Sequence, residues 1–531
     1  MKRREFLGHT GVASLTLGLA GATAASDIPP PSADETRLAA SIDVVEKSFA
    51  ELAAALAAGT ASSASLTLAY LARIDSVDRA GPTLRSVIAT NPNALAIARA
   101  LDEERRAGRV RGPLHGLPVL VKDNIETLDP LPTTAGSLAL ATARHDADAP
   151  LAARLRAAGA VVLGKANMSE WANFRSVHSV SGWSGVGGQT RNPYDVRRNP
   201  SGSSAGPAAA AAASLCAGAI GTETDGSVLA PASICGLVGM KPTLGLVSGV
   251  GVVPISPRQD TAGPMTRSVT DAALLLGAIA ERPLDRPATP ASLEEFRVRG
   301  LRIGVVAPPA SAHLEVVRAW EDWQRVLKAE GAIVVEVREP KPLASVADDE
   351  FGVLLWEFKD AINAYLGRVR GKVGVSTLAD LIEFNRRHAA EEMPIFGQDL
   401  FEQAQTKGDL RSPDYLKARA ALDRAADRDG LAALFSQFKV DVLMAPGNGP
   451  AELIEPVWGD HYENSGGWPA IGSAAAIAGY PSLTVPAGFI RGLPVGVIFV
   501  APRQRDGLLL HVGHAYERAT RARRAPVYRS A

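Results

Sequence analysis

Cysteine is scarce: the 531 residues contain two, Cys216 and Cys235, too few for a disulfide scaffold or a thiolate metal cluster, so buried free thiols are expected. Neither sign of charge is in excess, because 56 basic side chains balance 56 acidic ones. That balance removes the electrostatic drive toward nucleic acid or anionic lipid. Beyond the N-terminus no apolar run reaches the roughly 20 residues that span a bilayer; residues 205–220 come nearest and are mostly Ala and Gly, as in a buried helix. The nine histidines are scattered, with neither H-E-x-x-H nor a Cys/His cluster, so no metal is expected. A phosphate-cradling or dinucleotide fingerprint is also lacking, and the expectation is chemistry without a cofactor. What is present is an ordinary globular composition, 46% hydrophobic and 21% charged, enough for a large core.

The first 25 residues read as a leader. Lys2, Arg3 and Arg4 precede Glu5-Phe6-Leu7, an apolar stretch follows from about Gly11 to Ala22, and Ala22-Thr23-Ala24 offers a small-residue cleavage site. The Phe-Leu pair after the arginines favours a twin-arginine signal over an ordinary secretory one. Its removal takes away a net charge of +2 and leaves the mature chain near −2. The expectation is export by the twin-arginine machinery to a periplasmic or secreted location, with no membrane attachment of the mature form.

Residues 26–531 show no linker, fixed-period repeat or charge block, which predicts one domain. Its grammar alternates helix and strand. Asp148 is placed to cap a helix carrying Leu151 and Leu155, Gly159 ends it, and residues 160–163 follow as a buried strand. The same order recurs as a strand at 301–306, a helix at 313–330, Gly331 as the stop and a strand at 332–337. Near the end, 482–485 and 495–500 read as strands separated by a turn at Arg491-Gly492. Residues 340–440 are mostly helical and charged, so the prediction is an α/β sandwich with a helical excursion.

Two loops stand out in the middle. Residues 199–213 read NPSGSSAGPAAAAAA and residues 221–227 read GTETDGS. Small residues let backbone approach backbone, and a serine after a tight turn can expose its hydroxyl among free amide donors, as acyl transfer requires. Taken singly, each stretch also fits a plain loop. A serine hydroxyl needs a base near neutral pH, and Lys122, Lys165 and Lys241 each follow an apolar run. Bringing a lysine from its usual pKa of about 10.4 to about 7 costs on the order of 4.6 kcal/mol, which burial without an acidic partner can supply. Local pattern does not choose among the three, and a surface lysine at a strand end remains an alternative for Lys122. Asp123 need not touch the Lys122 amine, because adjacent side chains on a strand point to opposite faces.

The two serine loops, with LPVLVKDN (117–124) upstream and GLVGMKPT (236–243) downstream, resemble the amidase signature family. GYPSLTVP (479–486) and GLPVG (492–496) extend the likeness to the C-terminus. Within that family the chain is most similar to bacterial peptide amidases, on SEWANFRS (169–176), GTETDGS, LLWEFK (354–359), IFGQ (395–398) and YERATRARRAP (516–526).

The resemblance implies an α/β/α sandwich around a large mixed, twisted sheet and a Ser-Ser-Lys triad. Ser227 matches the nucleophile, Ser203 the bridging serine beside a cis peptide bond, and Lys122 the base. The backbone amides of Thr224, Asp225, Gly226 and Ser227 match the oxyanion donors. Met168, Asn173 and Phe174 match a stretch bordering the acyl side, with core packing as the alternative reading; Asp225 is placed to orient a carboxamide NH2. The implied reaction hydrolyses the C-terminal amide of a peptide or N-acylated amino acid to acid and ammonia, or else a small aliphatic or aryl amide. Glu223 stands where aspartate is usual, Asp225 and Ser201 where glycine is usual, and Ala205 replaces another glycine. The first two changes are shared with peptide amidases, and none touches the implied triad.

Two rivals are weighed. Residues 202–206 match G-x-S-x-G, with His511 or His514 as a base, but that elbow needs a strand before it and Arg197-Arg198-Asn199-Pro200 is not one. A non-enzymatic exported binding protein would not need Lys122, Ser203 and Ser227 together.

Overall fold

The chain builds its architecture on one eleven-stranded mixed sheet. Across it run Val87–Thr90, Val161–Ala166, Pro118–Lys122, Gly218–Glu223, Thr261–Thr266, Val238–Lys241, Ser482–Ile490, Leu493–Val500, Val442–Pro446, Arg302–Val306 and Ile333–Val337. A computed structural model describes residues 29–530 apart from 310, 311, 370, 458 and 461–467. The leader read at 1–25 lies outside the described residues. From Pro31 onward the chain forms one compact unit.

Pro118–Lys122 runs parallel to both neighbours, while Thr261–Thr266 and Ser482–Ile490 pair antiparallel. The expected strand at 160–163 extends to Ala166 and so takes in Lys165. Period-two alternation divides the sheet's faces: Val442 and Met444 join one apolar cluster, Leu443 and Ala445 the other. Helices cover both faces, as the near-continuous buried strands require.

The predicted cap at Asp148 is corrected. Ala149 precedes the Pro150–Ala157 helix without a side-chain bond. Asp148 instead accepts from the Leu128 amide at 2.7 Å and from Arg156 Nε at 2.8 Å. A proline at the first helical position removes one of the amides a cap would have held.

Among the described residues the excursion holds six α-helices: Val346–Arg368, Leu378–Arg387, Ala389–Glu392, Asp399–Gln405, Pro413–Ala426 and Ala432–Phe438. It packs on the rest of the protein through two apolar clusters, and one further anchor is ionic. Fully buried Arg175 pairs with Glu170 at 2.5 Å and with Glu392 at 3.6 Å, and its guanidinium lies 4.2 Å from the Phe396 ring centre. The SEWANFRS and IFGQ motifs therefore serve to bolt the excursion to the sheet unit.

Candidate active site

The Pro118–Lys122 strand is buried at every position, and it delivers the Lys122 side chain into the protein with no exposed surface. Burial pushes the amine down to about 7, against the opposing pull of Asp260 and Glu223. The amine donates to Ser203 Oγ at 2.8 Å and to Thr222 Oγ1 at 2.9 Å. Asn124 Nδ2 holds the same Thr222 hydroxyl at 3.0 Å. Asp123 points elsewhere, as strand alternation predicts, and accepts from the Thr134 hydroxyl.

Ser203 follows a cis Gly202–Ser203 peptide bond, and close packing explains the glycines beside it. A β-carbon on Gly202 would meet Asn173 Oδ1 and Ser181 Oγ, each at 2.9 Å. One on Gly206 would collide with the backbone of Asn167 and the Ser86 carbonyl. The Ala205–Ala212 helix that follows is buried at all eight positions. Ser204 lashes the loop to the Gly218–Glu223 strand, since its Oγ donates to the Thr222 carbonyl at 3.0 Å and accepts from the Thr222 amide at 3.2 Å.

Ser227 is half-buried at the end of a turn that leaves this strand. The Ser204 amide donates to the Ser227 carbonyl at 3.2 Å, which places the two serine loops side by side. Among the described residues, no hydrogen bond joins the Ser227 hydroxyl to Ser203, and the amides of Asp225, Gly226 and Ser227 donate to none. A half-exposed hydroxyl beside undirected amides, backed by a buried amine and an intervening hydroxyl, can support acyl transfer.

Asp225 accepts from Trp468 Nε1 at 3.0 Å, and burial beside the Glu350 carboxyl raises both acids. Glu350 comes from the long Val346–Arg368 helix and also accepts from Gln259 Nε2. Of the stretch expected to border the acyl side, Met168 and Phe174 lie in an apolar cluster with Phe358 and Phe401. Asn173 is half-buried at φ 69°, with its Nδ2 donating to Ser181 Oγ at 3.1 Å and its Oδ1 unpartnered among the described residues. Sequence reasoning missed Thr222, Asn124, Asp260, Glu350 and Trp468. Thr222 and Asn124 lie inside the quoted motifs and were within reach; the others are distant in sequence and carry no local mark.

The histidine scheme finds no geometry. Buried His511 bonds the Gly507 carbonyl at 2.6 Å and His514 lies 3.2 Å from Glu294. Arg197 and Arg198 form no strand before the serine loop, and Ser204 is spent on Thr222.

A family model described as Amidase matches residues 65–510. The chain is 37% identical over 519 residues to a probable amidase of Arabidopsis thaliana, covering 94% of each. The solved native peptide amidase of Stenotrophomonas maltophilia is similar with a TM-score of 0.84 and 46% identity, over 91% of this chain and 99% of that one. A peptide amidase in complex with the competitive inhibitor chymostatin is similar with a TM-score of 0.84 and 47% identity, over 91% and 99% of the two chains.

Proposed function

The chain belongs to the amidase family and is an amide hydrolase, and from that premise we propose that it cleaves the C-terminal carboxamide of peptides or N-acylated amino acids through an acyl-enzyme on Ser227. One observation carries the chemistry: the fully buried Lys122 amine, lowered to about 7, sits 2.8 Å from Ser203 Oγ.

In this reading Ser227 Oγ attacks the carboxamide carbon as its proton passes to Ser203 Oγ, and the Ser203 proton passes to the neutral Lys122 amine. The oxyanion forms against the amides of the turn, from Thr224 to Ser227. Collapse breaks the C–N bond, and the proton returns from Lys122 through Ser203 to the leaving nitrogen, which departs as ammonia. Water then attacks the ester carbon, gives its proton to the same relay, and releases the acid with Ser227 reprotonated. The hydroxyl relay closes once substrate is bound, because catalytic hydrogen bonds tighten in the Michaelis complex.

Substrate choice rests on similarity to the two peptide amidases. Asn173 and Asp225 are the polar groups offered to the substrate, with the Asp225 carboxyl placed to accept from the carboxamide NH2. Met168 and Phe174 would act from behind as the wall that supports Asn173. Ammonia release from peptide amides, aryl amides and small aliphatic amides tests the substrate reading: turnover is expected on peptide amides, and reaction of the small amides alone would make this a general amidase.

Residues 1–25 are proposed to send the protein through the twin-arginine route to the periplasm or beyond. Replacing Arg3 and Arg4 with Lys is expected to leave the precursor in the cytoplasm, and undiminished export would overturn the assignment.

A further inference from the structure

A carboxyl stands at each end of the turn 224–227. At its start, Thr224 Oγ1 donates to Asp260 Oδ1 at 2.7 Å. Asp260 is itself fixed, because its Oδ2 accepts from the amides of Ile255 at 2.9 Å and Ser256 at 3.0 Å. At the far end, Glu223 Oε2 accepts from the amides of Val228 at 2.8 Å and Leu229 at 3.1 Å. Both acids hang from one piece of sheet, since Glu223 lies opposite Thr261 in the antiparallel pair and Asp260 immediately precedes Thr261.

Between these two fixed points the amides of Asp225, Gly226 and Ser227 donate to no described residue, so the direction in which they point depends on how the ends are held. We propose that Glu223 and Asp260 are positioning residues that clamp this turn from both ends and thereby aim its amides and the Ser227 hydroxyl. The inference rests on the reading of Ser227 as the nucleophile.

Both acids of the clamp also couple to the amine, although burial raises each of them, Asp260 to about 7. Asp260 and Glu223 both act on the Lys122 amine; Lys241 and Asp225 face Glu223, and Glu357 faces Asp260. An anion near an ammonium favours its protonated form. Asp260→Asn can keep the hydrogen bonds by presenting its carbonyl to the Ile255 and Ser256 amides and its NH2 to Thr224 Oγ1. Burial already pushes the Asp260 carboxyl up to about 7, so the change removes a partial anion only, and the acid limb of kcat/KM moves to lower pH by a fraction of one unit. Thr224→Val breaks the same link while leaving the Asp260 carboxyl and its bonds to Ile255 and Ser256 in place, so turnover falls.

The deciding measurement is the rate at which an aryl phosphonate labels Ser227 in the full chain, read by mass spectrometry beside thermal unfolding and steady-state kinetics. Wild-type protein that is not labelled at Ser227 overturns the nucleophile reading itself. With that labelling in hand, Thr224→Val and Glu223→Ala are expected to label roughly tenfold or more slowly, with kcat falling and KM nearly unchanged. Glu223→Gln should recover most of what Glu223→Ala loses, because its amide oxygen still accepts from Val228 and Leu229. Folded Thr224→Val and Glu223→Ala proteins that label as fast as wild type overturn the clamp. If Glu223→Ala does not fold, Thr224→Val decides alone.

Discussion

Lys122 and Lys165 sit on adjacent parallel strands, both without exposed surface. Burial lowers both, Lys122 to about 7 and Lys165 to about 8. Their neighbourhoods differ. Lys165 donates to the Ile125 carbonyl and to Thr133 Oγ1 at 2.9 Å, and Asp123 is the largest charge acting on it. Lys122 likewise has a carbonyl and a threonine hydroxyl, both of Thr222, but adds Ser203 Oγ, which belongs to the loop beside Ser227. Lys241, also buried and lowered to about 8, donates to the Pro242 carbonyl at 3.2 Å. Desolvation alone therefore makes three weakened ammonium groups, and only the one that meets a serine hydroxyl is placed to accept a proton from a reacting group.

The comparison breaks most sharply at Lys122 itself. Lys122→Ala should lower kcat/KM by about 10²–10⁴-fold, while the wild type should show an acid limb with its midpoint near 7. The sign follows from the role: below that midpoint the amine is protonated and cannot act as a base, and above it the neutral amine can. A variant that keeps full speed would end the proposed mechanism.

Thr222→Val sharpens the contrast by taking from Lys122 the threonine partner it shares in kind with Lys165, leaving Ser203 as its hydroxyl partner. Loss of one hydrogen bond is worth about 1 kcal/mol, and turnover is expected to fall by roughly fivefold in steady-state assays. Lys165→Met should act on stability instead. Asp123, which burial pushes up to about 6, would lose its largest opposing charge, and the bonds to Ile125 and Thr133 would go, a loss of about 1–3 kcal/mol, read as a lower denaturant midpoint with the acid limb unmoved. The smallest effect belongs to His514→Ala: the ring lies beside Glu294 on the C-terminal helix, and amide hydrolysis should persist within about twofold, as surface changes away from the chemistry generally allow.

These contrasts also mark how far the sequence could be read. Apolar runs located strands at 117–121, 301–306 and 495–500, within a few residues of those observed, because burial writes itself into local pattern. The same signal could not rank the lysines, since all three follow such runs; motif likeness chose Lys122. Asp148 failed as a cap because a distant amide and a guanidinium competed for its oxygens. Glu350 was invisible for a related reason: it lies 125 positions beyond Asp225 in a helix whose pattern announces packing, and only folding places its carboxyl against that site.

The all-buried Ala205–Ala212 helix has a consequence for how such a protein can diverge. Apart from Pro207 the platform is alanine and glycine, and with the backbone of Asn167 pressed against Gly206 that position leaves no slack for enlargement, so the floor under the serine loop resists drift there. New substrate preferences are then expected at the excursion that supplies Glu350, whose helices share broad apolar clusters with the sheet face and bond to Ser256 and Gln259, so that each change there must preserve that packing.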